Sequence, residues 1–573
     1  MHLVRRLRIP AIVCSLAVLA CELIAQAHAN MGISDDAPYV LMARTLATTG
    51  HIVYNGWAAP MLAFQLYLAA GLIKLFGFSF TVVRSSTLLV AVILAFVLQR
   101  VLVRCGITER NATLGTLALV LSPLYLMLSV TFLSDIFGLF AIVLCLYGCI
   151  RALQSPTARA AIGWICFAIV TNALCGTSRQ IAWLGILIIV PSTLWLLRSQ
   201  RRVLLVGTAA TFAGAFFIFA CLHWLKHQPY TIPESILPTS TFHLYSTLWL
   251  LVFFFLDGPF LLLPIVALFL LQLRKSRPLV LVVLFAAYFL VAVHPHHAHH
   301  VFLLEPTSVQ GGDWVGLHGI HEGIDLHGDA PVFIHTPLQI LLTILSFGGL
   351  LGLIASLIRT RKSPAPVLAA PSVSWSPLAP LLTPFTFIYS LLLIPRATED
   401  MIFDRYWLPL LVVAVICLVR YYQDQISPRL PLAASFLVVF FAFYGVTVTH
   451  NMFSLYRART ALAAELHAKG IPDTSIDNGF EYNFAVELQH APSINFPTIA
   501  IPAHAYVQVP QPTGPCKFFW YDKTPHIHPL YSVSFDPTAC YGLAPIAPVQ
   551  FSRWPGLTPG TLYVVRSTAP SQP

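Results

Sequence analysis

Apolar runs separated by short basic or polar clusters recur along the chain from residue 9 to residue 449. Most are near the ~20 residues that a helix needs to cross a hydrocarbon core of about 30 Å. Such spacing predicts a stack of membrane helices, with the polar clusters marking where the chain emerges. From residue 451 the pattern changes. Residues 457–469 read as a helix, and short apolar-aromatic runs at 517–521, 531–535 and 561–565 follow, broken by Pro and Gly. That alternation suits a small α/β or mostly β domain of about 120 residues, a size that folds alone.

Basic residues then fix the direction of each crossing, because Lys and Arg stay on the cytoplasmic side. Arg5, Arg6 and Arg8 precede the run 9–29, which therefore leads outward. The stretch Ala27-His28-Ala29 also reads as a signal-peptide cleavage pattern; we take the run as an uncleaved first span. The run 58–76 poses a choice. As a span it would put Arg100, Arg104 and Arg110 outside. Lying in the interface, it leaves 81–103 to cross inward and returns those arginines to the cytoplasm. The second reading makes residues 31–80 a long extracytoplasmic loop with interfacial helices, one of them over 39–49. Crossings at 112–130, 136–153, 161–177, 181–197, 203–225, 244–273, 279–293, 337–358, 378–394, 407–419 and 430–449 follow, giving about thirteen spans. A Pro/Ser linker occupies 363–377 and a histidine-rich extracytoplasmic loop 294–335. The expected division is 1–450 for the membrane domain and 451–573 for an extracytoplasmic C-terminal domain.

Composition agrees. Of 573 residues, 57% are hydrophobic and only 10% charged, with mean hydropathy +0.76, against roughly 25% charged in a soluble chain. The net charge of +10 would suit a nucleic-acid binder, but the basic residues fall in small groups between apolar runs, as orientation signals do, so no nucleic-acid partner is expected. The eleven cysteines show no zinc spacing. Cys516 and Cys540 stand together in the polar C-terminal part and form a disulfide if that part lies outside the cytoplasm.

Candidate chemistry collects on the expected outer side. Asp35 and Asp36 directly follow a span and precede an interfacial helix, where acids are costly to place and suited to general-base work. Only one of two adjacent side chains can face a given site. Asp135 follows Ser134 at the start of a span; it serves as an N-cap or as a second acid of the site. Arg84, Arg179, Arg396 and Arg405 are arginines on the outer side. They bind lipid phosphate non-specifically or grip a phosphate ester as it leaves. Tyr39 and Tyr406 would line the same region. His294, His296, His297, His299, His300, His318, His321, His327 and His335 are metal-capable, but their spacing fits no defined site, and a wet interfacial loop accounts for them.

These residues resemble a known family. Asp35-Asp36-Ala37-Pro38-Tyr39, Leu75-Phe76-Gly77 ahead of Arg84, Ser122-Pro123 ahead of Ser134-Asp135, and Asp404-Arg405-Tyr406-Trp407-Leu408-Pro409 look like motifs of the class C (GT-C fold) glycosyltransferases. Similar members are the protein O-mannosyltransferases and the lipid A aminoarabinose transferases, over about residues 1–450. The resemblance implies a sugar moved from a polyprenyl-phosphate donor to a hydroxyl on a protein, lipid or glycan acceptor, with membrane lipid around the site. It implies Asp35 as base or acceptor contact with Asp36 beside it, Asp135 in the acceptor site, outside arginines on the donor phosphate, and no metal or other cofactor. It also implies a bacterial cytoplasmic (inner) membrane, with the active site and C-terminal domain facing the periplasm or exterior. One motif departs: the aminoarabinose branch enters its interfacial helix through Lys-Pro-Pro, where this chain reads Ala58-Ala59-Pro60-Met61. That shifts the phosphate grip to Arg179 and Arg405. The alternatives are a transporter or lipid flippase using Glu22 or Asp257, against which the absence of two similar halves speaks, and a non-catalytic scaffold.

Overall fold

The computed structural model describes residues 8–233, 247–248, 251, 254, 258–275, 326–331, 336–359, 373–398, 402–556 and 558–568. The expected span 279–293, most of the 363–377 linker, Asp257 and every histidine of the 294–335 loop except His327 lie outside them.

Among the described residues, seven helices are long and apolar enough to cross a membrane, or eight if one bent pair is a single span. The chain is a multi-pass membrane protein. The full thirteen crossings are not reached among these residues, partly because several expected spans are broken. The run 112–130 folds as Glu109–Val120 and Pro123–Ser129, bent by 68°. The cause is local: the Ser122 hydroxyl accepts from the Tyr125 N–H, and Pro123 occupies the first helical turn, so a new helix starts there. The run 181–197 is likewise split into the 3-10 turn Gln180–Trp183, a π-helical turn Gly185–Ile189 and the helix Val190–Leu196. Asn172 is wedged into this stretch, donating to Ala182 and accepting from the Ile186 N–H.

Residues 58–76 form no span. Their helix, Ala63–Phe76, has 14 residues, too few to cross. Its first turn is held by Thr177, whose hydroxyl accepts from the Phe64 N–H, and by Ser178, which accepts from that of Gln65. Ahead of it, Asp36–Thr49 forms a second short helix ending at Gly50, with Tyr39, Met42 and Ala43 on its buried face. The Ala-x-Ala stretch is built into the fold: Arg457 donates to the carbonyls of Gln26 and His28, and Arg84 to that of Ala29.

Three long helices give the bundle two chemically distinct ends. Phe80–Arg104, Asp135–Leu153 and the 3-10 turn Asp404–Trp407 with its continuation Leu408–Gln425 all begin at the end that carries Asp35 and Asp36. All three finish at an opposite end. There Gln154 pairs with Arg104, and Arg420, fully buried, donates to the carbonyls of Cys105 and Val373.

The boundary expected at residue 450 falls inside a helix. Leu432–Ala468 runs unbroken for 37 residues, about 55 Å at 1.5 Å per residue. No Pro interrupts it, and it outreaches the bilayer by about 25 Å. On the projecting half sits the C-terminal domain: His450 stacks on Trp554 at 3.8 Å, and Asn451 accepts from the Trp554 N–H.

Among the described residues, that domain holds the α-helix Phe480–His490 and a four-stranded sheet of β1 (Ile476–Asp477), β2 (Tyr531–Ser534), β3 (Val549–Phe551) and β4 (Gly560–Arg566), in the order β1-β2-β4-β3. Only the β1–β2 pair is parallel. Residues 517–521 form no strand; a turn occupies 519–521, with Trp520 at φ 59°. The Cys516–Cys540 disulfide is formed, and His327 bridges to Ser534 at the sheet edge.

Candidate functional site

The turn Gly32–Asp36 brings the acid pair out of the first helix. Ser34 has a left-handed backbone, φ 51°, unfavourable for any residue with a Cβ. Its N–H donates to Glu481 of the C-terminal domain at 3.2 Å. The turn sends the two carboxylates to different places.

Asp36 points inward and is fully buried. Its carboxylate accepts from Arg84 Nε at 2.8 Å and from the N–H groups of Ile33 and Phe132. Arg84 gives its remaining bonds to Asp36 and to the carbonyls of Ala29 and Met31. These bonds occupy the Arg84 guanidinium and both Asp36 oxygens within the protein. Together they tie the first loop to the helix Phe80–Arg104.

Asp35 points the other way. Trp57 Nε1 donates to its Oδ1 at 3.1 Å, and Arg405 Nη2 lies 3.4 Å from its Oδ2. Arg405 Nε also lies 3.9 Å from Asp135 Oδ2, whose other oxygen takes Arg179 Nη1 at 2.7 Å. Arg179 donates as well to the Ser134 hydroxyl. Four of the sequence candidates, from positions 35, 135, 179 and 405, therefore form one alternating chain of charge. Exposure grades along it: the side chains of Asp35 and Arg179 are 26% and 21% open, while Arg405 is 10% and Asp135 4%. Asp135 is the inner anchor.

Aromatic rings complete the wall. The Arg179 guanidinium lies 5.2 Å from the centre of the Tyr406 ring and that of Arg405 4.3 Å from Phe403. Tyr389 donates to the Tyr406 carbonyl. Burial, followed by the nearby Asp35 carboxylate, pushes the Tyr39 hydroxyl up, so it stays neutral. Burial disfavours the charge of Arg179, but Asp135 together with the Tyr406 and Tyr389 hydroxyls raises the guanidinium above its ordinary range. Arg396 lies on the short helix Leu393–Thr398 and is half-buried.

The quartet carries two positive and two negative charges. At an effective dielectric of ~20, a pair 3.4 Å apart attracts by about 5 kcal/mol, comparable with the several kcal/mol needed to desolvate each ion.

Sequence reasoning missed Trp57, Gly138 and Tyr389. Gly138 lies one turn after Asp135, and a Cβ there would stand 3.0 Å from Arg179 Cδ, so its absence makes room for that side chain. Glu22, the acid invoked for a transporter, is buried beside Ser129, which donates to it. His327 lies 3.6 Å from Cys516 Sγ and 3.9 Å from Asp477, and burial lowers its basicity. The sulfurs beside it are bonded to each other.

No family model and no curated protein matches the sequence. Solved structures similar to the chain include ArnT from Cupriavidus metallidurans in the apo state, at 14% identity and TM-score 0.42 over 97% of this chain and 98% of that one. The same protein bound to undecaprenyl phosphate gives 14% and 0.39, over 98% and 99%. The oligosaccharyltransferase AglB from Archaeoglobus fulgidus gives 14% and 0.40, over 90% and 63%. The functional reading rests on the residues themselves.

Proposed function

We propose that the chain is a membrane glycosyltransferase that moves a sugar from a polyprenyl-phosphate donor to an acceptor hydroxyl on the extracytoplasmic side, with inversion at the anomeric carbon. The observation that carries this reading is the charge chain Asp35–Arg405–Asp135–Arg179, two arginines able to receive a phosphate and one accessible carboxylate next to them.

In this mechanism the donor phosphate takes the place of the Asp35 oxygen on Arg405 and also meets the partly open Arg179. Asp135 stays behind both guanidiniums and keeps them in place. The acceptor oxygen attacks the anomeric carbon as the bond from that carbon to the phosphate oxygen breaks, and the electron pair leaves with the lipid phosphate. The phosphate gains a negative charge in this step. Arginines aimed at it therefore stabilise the transition state more than the ground state. Asp35 takes the acceptor proton. The steps call on side chains alone.

Sidedness has its own support. The end opposite the quartet carries Arg100, Arg104, Arg151 and Arg420, a basic cluster of the kind found on cytoplasmic faces, which supports placing Asp35 outside. The test is ligand binding. Purified full-length protein in lipid nanodiscs should bind polyprenyl phosphate saturably and the matching polyprenol at least tenfold more weakly. Equal binding of the two would remove the phosphate grip from the reading.

A further inference from the structure

We infer that the C-terminal domain positions Asp35, acting through the indole of Trp57. The inference rests on the reading of Asp35 as the base.

Trp57 has two faces of contact. Its N–H donates to Asp35 Oδ1. Its ring is met edge-on by Phe484 at 4.7 Å, Phe496 at 5.7 Å and Trp520 at 6.1 Å, all three from the C-terminal domain. The ring is packed against the small apolar core of Phe480, Phe484 and Ile494, so it belongs by packing to that domain although it comes from the first loop. The backbone beside it is fastened in the same way. The Ile494 N–H donates to the Asn55 carbonyl at 2.8 Å. Gly56 has φ 81°, and a Cβ there would fall 2.5 Å from the Ile494 carbonyl oxygen, so only glycine permits the approach.

A second contact reaches Asp35 from its other side. Glu481 accepts the N–H of Ser34, the residue immediately before Asp35, and is itself held by Tyr456 and Arg459. The domain therefore fixes both the backbone leading into Asp35 and one of its two carboxylate oxygens.

The chemistry gives that contact a direction. An indole N–H only donates, so it takes no proton from the acceptor. With Oδ1 occupied by Trp57, the proton goes to Oδ2, the oxygen on the Arg405 side where the donor phosphate would sit. Trp57 is a positioning residue in this scheme, and the domain behind it sets the aim.

The experiment reads the hydrogen bonding of Asp35 directly. Infrared spectra of full-length protein in nanodiscs are recorded at one fixed pH, and the Asp35 carboxylate stretching band is isolated by subtracting Asp35→Asn from wild type. The same subtraction is repeated in Trp57→Phe and Phe484→Leu backgrounds. Trp57→Phe keeps a ring in the clamp and removes only the N–H donated to Oδ1, so the band should shift in frequency. Phe484→Leu leaves the N–H but loosens the clamp, and should move the band in the same direction. An unchanged band in Trp57→Phe overturns the inference. A shift in Trp57→Phe with none in Phe484→Leu overturns the domain's part in it. Neither readout depends on turnover, so failure here stays separate from failure of the base assignment, which the activity of Asp35→Asn decides.

Discussion

The guanidinium of Arg405 lies 3.4 Å from the carboxylate of Asp35, joining positions 370 residues apart. Because the same guanidinium also faces Asp135, Arg405 is the hinge of the charge chain. Exchanging it or Arg179 for lysine keeps the charge but loses the planar fork that holds two oxygens at once. Arg405→Lys and Arg179→Lys should each weaken polyprenyl phosphate binding by about tenfold to a hundredfold, about 1.4–2.8 kcal/mol. Isotherms on purified protein check this, and unaltered affinity in both variants would exclude them from the phosphate site.

Asp36 and its neighbour Asp35 should behave in opposite ways. Asp36 is buried against Arg84, and removing one member of such a pair leaves a stranded charge. Asp36→Ala should destabilise the protein by about 3–5 kcal/mol, seen as a large fall in thermal midpoint or in folded yield. Asp35→Asn should leave the thermal midpoint nearly unchanged, since its side chain is partly open.

How much of this was legible in the chain follows from what each residue depends on. Asp35, Asp135, Arg179 and Arg405 were readable because charges at the ends of apolar runs are sparse and each must be accounted for. Arg84 looks the same in the sequence, and its pairing with Asp36 follows only from the turn at Ser34. Trp57 looks like any interfacial aromatic until Phe484 and Trp520 arrive from more than four hundred residues away. The break at Ser122-Pro123 carried its own local signal, a capping hydroxyl followed by proline, masked by the continuous hydropathy around it. The fusion of 430–449 and 457–469 into one helix depended on contacts with Ser552 and Trp554, which no local pattern announces.

Asp477 makes the C-terminal domain pH-sensitive. Burial outweighs its hydrogen bonds from Asn483 and Gly479, and its carboxyl is pushed up from 3.8 to about 6. A carboxyl raised on folding binds more protons in the native state. Its contribution is therefore full below about pH 3.8 and lost as pH rises through about 6. The span corresponds to about 3 kcal/mol. Asp477→Asn keeps an acceptor for both donors and should flatten the fall in stability between pH 4 and pH 7, followed by thermal unfolding in detergent. A slope identical to wild type would contradict this origin.

The Cys516–Cys540 bridge closes a loop of 24 residues in a domain with a small sheet. Cys516→Ser with Cys540→Ser should lower the stability of that domain by about 3 kcal/mol. Limited proteolysis should then cut at residues 500–530 under conditions that spare wild type. Equal resistance would mean that the surrounding packing suffices.

Transfer by Asp35→Asn addresses the central chemistry most directly. Radiolabelled sugar is followed from a panel of polyprenyl-phosphate donors in membranes holding wild type or variant at matched levels. Wild type should form product, and Asp35→Asn should fall by at least about a hundredfold, as expected for losing a general base, while still binding polyprenyl phosphate. Full transfer by the variant would contradict the role of Asp35 and, with it, the mechanism built around the charge chain.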